Sequence, residues 1–151
     1  MADIRIENAR IIFRNFEGAK DDFNAEGKRN FHVVLTEDQA NELREIGVNV
    51  KIRAPREEGD EPTYHAKVNV NLESNYPPKV YLVTETENGE LKNVRLDAES
   101  ISCLDTAYFK EVHLELEQYE YKPGRVSLYL RTGYFLINQE AEWNPFAGRY
   151  E

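Results

Sequence analysis

The sequence has one cysteine, one methionine and no long apolar run, and these scarcities exclude several classes of protein. A lone Cys103 cannot form an internal disulfide or a cysteine zinc cluster, which points to a reducing cytoplasm. No apolar stretch approaches the ~20 residues that a membrane-spanning helix needs. The N-terminal MADIRIENAR is acidic and polar, whereas a secretory signal begins basic and turns apolar. We therefore expect a cytoplasmic protein without a membrane span.

Sequence motifs for catalysis are also missing. There is no Walker-type GxxxxGK[ST] loop, no HExxH and no GxSxG nucleophile turn. His32, His65 and His113 lie far apart in the sequence and lack the spacing of metal ligands. Cys103 falls on the apolar face of a predicted short helix, so it is expected in the core. We therefore expect a protein that is not an enzyme and has no cofactor or metal.

A row of glutamates offers one catalytic alternative. Glu111, Glu115 and Glu117 alternate along one predicted strand, and carboxylates on one face can share Mg²⁺ in a nuclease. Alternate residues on a strand are about 7 Å apart, however, and the sequence supplies no obvious further ligands. An ordinary solvated strand face is the favoured interpretation.

Basic residues are outnumbered, and the net charge of −9 argues against coating of duplex DNA by a basic protein. Phosphate binding depends on local patches and not on the sum, so a nucleic-acid partner is not excluded. Residues 1–80 hold 12 Lys and Arg against 15 Asp and Glu, and residues 81–151 hold 7 against 13. The acidic excess is therefore greater in the second part of the chain.

Alternating apolar residues predict a mainly β chain with one clear helix. The helix opens at Thr36, whose run to Gln39 fits a capping box, and it ends at Gly47. The Asn88-Gly89 pair suits a hairpin turn, and residues 97–106 are typical of a second, short helix. The predicted strands cover residues 4–13, 31–35, 48–53, 64–72, 79–86, 109–121 and 125–137.

Many short strands with one capped helix and long connecting loops favour an OB-fold-like small β-barrel. We assign this barrel to residues 1–137 and a C-terminal, mildly acidic aromatic tail to residues 138–151. A β-sandwich fits the same periodicity nearly as well, and the pattern alone does not separate the two folds.

Alternation within the predicted strands also assigns their faces. Across residues 48–86 the outward positions hold Lys51, Arg53, Lys67 and Lys79, with no carboxylate before Glu85. The strand 109–121 instead turns its glutamates outward, with His113, Tyr119 and Tyr121. The sequence thus predicts one basic and one acidic face. A basic face suits single strands, although a solvated sheet face is an equally weighted alternative.

Aromatic rings beside these cations are candidates for stacking on bases, at ~1–3 kcal/mol each. Tyr81 lies outward, while alternation places Tyr64 inward at a strand end. Phe16 and Phe23 fall in the polar loop 14–30, where they either cap the barrel or meet a ligand. Lys28 and Arg29 close this loop, where they serve either phosphate binding or solubility.

Five runs of the chain, IENARIIFRNFEG, FNAEGKRNFHVVL, VNVK, EPTYHAKVNVN and PPKVYLVT, resemble a family of tailed-phage proteins taken to be single-stranded DNA-binding proteins with an OB-fold. The resemblance covers nearly the whole chain, and residues 23–31 are its most specific stretch. It implies a role in replication or recombination, in which transient single strands are protected and passed to other enzymes.

Proteins of this kind often end in an acidic tail with a terminal aromatic, which contacts partner enzymes. Here the tail carries Trp143, Phe146 and Tyr150, but its three glutamates are opposed by Arg149, so it is less acidic than that pattern. Packing of these rings on the barrel is an equal alternative to partner docking. Whether two copies pair as a homodimer is left open.

We therefore predict a sequence-independent single-stranded DNA-binding protein that uses cations for phosphate and rings for bases. The alternative is a phage interaction module that binds no DNA and docks through the acidic face and the aromatic tail. The predicted DNA-binding residues are Phe16, Phe23, Lys28, Arg29, Lys51, Arg53, Tyr64, Lys67, Lys79 and Tyr81.

Overall fold

The computed structural model describes residues 4–20, 26–55 and 57–137. Most of the described chain is β-structure, as the alternating pattern predicted. The strands are β1 Ile4–Ile6, β2 Ile11–Asn15, β3 Arg29–Leu35, β4 Val50–Arg53, β5 Thr63–Val70, β6 Lys79–Glu85, β7 Leu91–Arg95, β8 Phe109–Lys122 and β9 Arg125–Ile137. The helix α1 spans Glu37–Ile46, and a short 3₁₀ helix spans Ile101–Asp105.

Within the described residues, nine strands form one sheet whose main path runs β1-β8-β9-β5-β3-β2. The first and last strands of this path are neighbours in the chain, joined by residues 7–10. In this junction the Ala9 N–H donates to the Val112 carbonyl at 2.7 Å, and the Arg10 carbonyl accepts from the Val34 N–H at 2.9 Å. Residues 4–15 therefore bridge the two edges of the sheet, which gives the predicted OB-like barrel.

The core is built around three phenylalanines that no solvent reaches. Phe16 stacks on Phe31 with ring centroids 5.1 Å apart, and both rings meet Phe135 edge-on at 5.7 and 6.5 Å. Valines and leucines from the inward positions of β3, β5, β8 and β9 surround them. The alternation read from the sequence for β5 and β8 is confirmed, because the residues it placed inward are buried in the barrel.

Helix α1 begins and ends at the residues that the sequence predicted. The Gln39 N–H donates to the Thr36 hydroxyl at 3.1 Å, and the Thr36 N–H donates to the Gln39 side-chain oxygen at 2.9 Å. At the other end Gly47 adopts a left-handed φ of 104°. Its carbonyl accepts from the Val126 N–H at 3.0 Å, so the helix end is fixed to the start of β9.

One strand prediction is wrong, and one strand was not predicted. The predicted strand 4–13 is broken at residues 7–10, where Asn8 has a φ of 51°, and the two pieces pair with different strands. Strand β7 was not predicted, because all five of its residues are exposed and show no apolar alternation. The Asn88-Gly89 turn that joins it to β6 is confirmed, with Gly89 at a φ of 82°.

The predicted short helix at residues 97–106 is a 3₁₀ helix of five residues. Its Ile101 and Leu104 are buried as expected, but Cys103 is exposed, so the prediction of a core cysteine is wrong. A 3₁₀ helix has three residues per turn, which puts Ile101 and Leu104 on one face and turns Cys103 away from it. In residues 4–20, 26–55 and 57–137, no helix combines the length and apolar character that a membrane span requires.

Replacing Gly47 should destabilise the fold more than replacing another glycine of positive φ. A Cβ at Gly47 would overlap the Gly124 carbonyl oxygen. We expect Gly47→Ala to lose about 1–2 kcal/mol for its left-handed backbone and about 1–3 kcal/mol more for this overlap. The free energy of unfolding in urea would measure the loss, provided that the dependence on denaturant is unchanged.

Gly89→Ala is the matched control, because Gly89 also has a positive φ but a Cβ there meets no atom within 4 Å. Its free energy of unfolding should fall only by the amount that a Cβ on a left-handed backbone costs. Equal losses in the two variants would contradict the role assigned to the contact between Gly47 and Gly124.

Candidate nucleic-acid interface

An open groove of about 690 Å³ crosses the outer face of β3 and β5. We call it the β3–β5 groove. If residues 4–15 are counted as one strand and β4, β6 and β7 as insertions, β3 and β5 are the second and third strands of the barrel. The groove is lined by Phe13, Arg14, Asn15, Glu17, Ala19, Asn30, His32, Lys51, His65, Lys67 and Asp105.

Strand register sets four side chains of the groove in a compact block. His32 on β3 lies opposite Lys67 on β5, and His65 on β5 lies opposite Lys51 on β4. Because β5 is paired with both β3 and β4, the two histidines become diagonal neighbours with a lysine beside each. Two heterocycles and two cations thus share one stretch of the outer face.

The two histidines contact each other directly. Nδ1 of His32 and Nδ1 of His65 are 2.9 Å apart, and the ring centroids are 5.0 Å apart. A neutral imidazole has one N–H and one acceptor nitrogen, so one ring donates to the other across this contact. Burial lowers the pKa of His32 to about 4, and repulsion by His65, Lys51 and Lys67 contributes in the same direction.

Burial is also the largest cause of the lowered pKa of His65, followed by repulsion from Lys51 and Arg53. At neutral pH both rings are therefore uncharged in the protein alone. The positive charge of the groove comes from its lysines, from Arg14 and from Arg53 at its margin.

Phe13 stands over the histidine pair at a break in β2. The register of β2 against β3 shifts between Ile12 and Asn15, and within this bulge Phe13 has a φ of 50°. Its ring meets His32 and His65 edge-on, with centroids 5.4 and 5.5 Å apart. The residue is 56% exposed. A large apolar side chain is thus held at a strained backbone position with much of its ring open to solvent, which is frequent at functional sites.

Other polar groups of the groove are used to build its walls. The Arg14 guanidinium donates to the Leu104 and Ala107 carbonyls at 2.9 and 2.6 Å. The Asp105 carboxylate accepts from the Phe16 and Glu17 N–H groups at 2.7 and 3.0 Å. Carboxylates therefore lie at the loop end of the groove, and the lysines lie at its β4–β5 end.

Four of the predicted cations are exposed where a strand of DNA can reach them. Lys51, Arg53 and Lys67 occupy the outward positions that alternation assigned to them, at or beside the groove. Lys28 is exposed immediately before β3, at the end of the loop that flanks the groove. These four residues remain candidates for phosphate contact.

The structure places two predicted residues of the loop against the barrel, and it contradicts the prediction for Phe16. Phe16 is fully buried in the core and has no ring face for a base. Arg29 donates to the Phe16 and Glu17 carbonyls at 2.6 and 3.2 Å, so its half-buried guanidinium holds the loop backbone. Burial of the Phe16 ring and hydrogen bonding of the backbone carbonyls together hold this end of the loop against the barrel.

Tyr64 is also not brought to the groove. It packs partly buried against the core, and the Arg44 guanidinium lies over its ring at 5.6 Å. The inward position that alternation gave it is therefore correct, and this placement does not support a role in stacking at the groove.

Lys79 and Tyr81 lie on a different surface from the groove. Their register partners on β9 are Thr132 and Tyr134, and Tyr81 stacks face to face on Tyr134 at 5.1 Å. This second surface, formed by the outer residues of β6, β9, β8 and β1, does not include the lysines of the groove. Lys79 and Tyr81 do not line the groove, because β5 and β6 pair with successive parts of β9, and their contact with DNA stays a prediction.

The predicted acidic face is more mixed in charge than its glutamates suggested. Glu115 pairs with Arg5 at 3.1 Å and with Arg131 at 3.7 Å, and Glu111 contacts His113 at 3.0 Å. Among the described residues, no group of three or more His, Cys, Asp or Glu side chains is placed to hold a metal ion.

Phe23 and the tail residues Trp143, Phe146 and Tyr150 lie outside the described residues. Their predicted roles therefore stay predictions. The groove residues that sequence reasoning missed are Phe13, His32 and His65. Alternation grouped Phe13 with Ile11 and placed His65 outward with Lys67, but nothing in the sequence indicated that the three rings meet.

An OB-like barrel that carries cations and an exposed ring across its second and third strands has the features of a single-strand nucleic-acid-binding protein. A family model described as "Putative phage ssDNA-binding domain" matches residues 1–148, and the chain belongs to this family. The family that the sequence resemblance indicated is thereby confirmed.

One solved structure is similar to the chain, the "Single-stranded DNA-binding protein from bacteriophage Enc34 in complex with ssDNA". Its sequence identity is 14% and its TM-score is 0.49, over 90% of this chain and 86% of that chain. A comparison with curated proteins gives no match.

Proposed function

We propose that this protein binds single-stranded DNA without sequence preference and that the β3–β5 groove is the binding site. Family membership supports the ligand class. The observation that carries the choice of site is the placement of the exposed Phe13 ring beside Lys51 and Lys67 in one open groove. Single-strand binders combine these two elements, a cationic path for the backbone and a ring on which bases stack.

The phosphates of the strand would follow the cations at the β4–β5 end, namely Lys51, Arg53 and Lys67, and Lys28 at the flanking loop. A base would stack on the open part of Phe13. Three or four phosphate contacts give an affinity that falls with salt, with a log–log slope of about −2 to −3 for single strands.

The hydrogen bonds of the groove's side-chain amides support binding without sequence preference. The Asn15 side chain donates to the Ala19 carbonyl and accepts from the Ala19 N–H, at 3.0 and 2.9 Å. The Asn30 amide donates to the Lys28 carbonyl at 3.2 Å. These amides are engaged with the backbone, whereas a base-specific site would turn them toward base edges. Stacking and charge do not distinguish strongly among bases.

In the cell this binding would protect transient single strands during phage DNA replication or recombination in the host cytoplasm, without a catalytic step. Phe23, predicted from the sequence, remains a second candidate for stacking. The tail residues Trp143, Phe146 and Tyr150 are the candidates for contact with replication or recombination proteins.

The direct test is the fluorescence anisotropy of a labelled ~30-nucleotide oligo-dT strand titrated with the protein, since this length exceeds the site size of one OB-fold. We expect salt-weakened binding to the single strand and little binding to a matched duplex. Absence of binding at low salt would overturn the proposed function and leave a protein-interaction role on the second surface.

Charge reversal should locate the phosphate path. We expect Lys51→Glu with Arg53→Glu to weaken binding at least tenfold and to reduce the magnitude of the salt slope by about 1.4, because two counterion-releasing contacts are lost. Lys79→Glu with Lys92→Glu makes the same change in net charge away from the groove. If both double variants lost the same binding affinity, only the net charge of the protein would matter, and the groove would be removed from the proposal.

Removal of the Phe13 ring should weaken binding without changing the salt slope. Stacking on an aromatic side chain contributes ~1–3 kcal/mol per base, so we expect Phe13→Leu to raise the Kd about 5- to 150-fold, measured by the same anisotropy titration. Phe13→Tyr keeps a ring and should bind nearly as the parent does.

Tyr134→Leu is the matched control for Phe13→Leu, because Tyr134 is a 40% exposed ring of the second surface. It should leave the Kd unchanged. If Tyr134→Leu weakens binding and Phe13→Leu does not, the strand lies on the second surface instead of in the groove.

A further inference from the structure

The contact between His32 and His65 restricts how many protons the two rings can hold. Their Nδ1 atoms are 2.9 Å apart, so one Nδ1 carries hydrogen and the other accepts it. A proton added at Nε2 of the donor ring makes that ring an imidazolium and leaves the Nδ1–Nδ1 hydrogen bond in place. A second proton would set two N–H groups against each other. The pair therefore accepts one positive charge without losing its geometry.

Cations surround this pair at close range. By strand register Lys67 lies beside His32 and Lys51 lies beside His65. Arg53 adds to the repulsion from β4, and the Phe13 ring covers the pair from β2. A pair that can accept a charge is thus placed among fixed cations, where an uncompensated charge is unfavourable and a bound anion would make it favourable.

We propose that the His32–His65 pair is a phosphate-binding element that takes up one proton when a DNA phosphate enters the β3–β5 groove between Lys51 and Lys67. This inference rests on the proposed function, and it adds a titratable third contributor to the two lysines. A phosphate offsets the repulsion from the lysines and favours the charged pair, so binding of DNA and uptake of a proton support each other.

The direction of the pH dependence follows from the charges that face the pair. In the protein alone, burial and the neighbouring cations hold the pKa of His32 at about 4 and lower that of His65. The other charged groups of the groove are Arg14, Glu17 and Asp105. Arg14 and Asp105 are held in place by hydrogen bonds to backbone groups. A bound phosphate raises the pKa of the pair. The complex then holds more protons than the free protein below neutral pH, and affinity rises as pH falls.

The test is the oligo-dT titration at pH 7.5, 6.5 and 5.5, at constant ionic strength and with EDTA present to remove metal ions. For the parent protein we expect the Kd to decrease as the pH is lowered, approaching tenfold per pH unit, which is the limit for uptake of one proton. The variant with both His32→Asn and His65→Asn keeps polar side chains that do not titrate, so its Kd should change distinctly less. His113→Asn, on the second surface, should retain the dependence of the parent.

A second measurement needs no variant. Histidine ring resonances of the parent protein, followed by NMR against pH with and without saturating oligo-dT, should show the pKa of the pair raised by DNA. Unchanged ring pKa values in the complex, or equal pH slopes in the parent and the double variant, would overturn the inference and leave the DNA-binding function intact. Failure of the parent to bind oligo-dT at every pH would instead overturn the proposed function.

Discussion

Strand β5 pairs with three other strands, and both the core and the groove depend on this constraint. It runs antiparallel to β3 along most of its length, shares its other edge with β4 at residues 63–66, and pairs in parallel with β9 at residues 68 and 69. Its inward residues Ala66, Val68 and Val70 are buried in the barrel. Its outward residues then have neighbours on both sides, which places His65 and Lys67 next to side chains from β3 and β4. One strand thus fixes where the apolar contacts end and where the cations gather.

This arrangement explains how a chain of net charge −9 can present a cationic groove. Several carboxylates are engaged with other partners: Asp105, at the loop end of the groove, accepts two backbone N–H groups, and Glu115 pairs with two arginines of the second surface. The lysines of the groove have histidines as their direct cross-strand partners, not carboxylates. A local positive field can therefore exist within an acidic protein, because the field near a surface depends on the nearest charges and salt screens the more distant ones.

The sequence predicted those features that depend on local pattern. Capping chemistry located helix α1 from Thr36 to Gly47, and alternation placed Lys51, Arg53 and Lys67 outward and Ala66, Val68 and Val70 of β5 inward. It did not predict the break at residues 7–10 or the bulge at Phe13, and it left the burial of Phe16 open as an alternative to ligand contact. Each of these depends on contacts distant in sequence, such as the 89-residue separation between the Phe16 N–H and the Asp105 carboxylate. A pattern of nearest neighbours cannot contain such information.

The opposite placements of Phe13, exposed in the groove, and Phe16, buried in the core, show how closely the fold and the candidate site are coupled. Arg29 and Asp105 hold the backbone at residues 16 and 17, and the Phe16 ring then completes the core with Phe31 and Phe135. With Phe16 anchored inward, the bulge that precedes it turns Phe13 out over the histidines. The aromatic residue in the groove is thus positioned by a structural one three residues away. The strained φ of Phe13 is offset by burial of a neighbouring ring and by hydrogen bonds to the loop. An exposed ring and a full core are in this sense two results of the same local geometry.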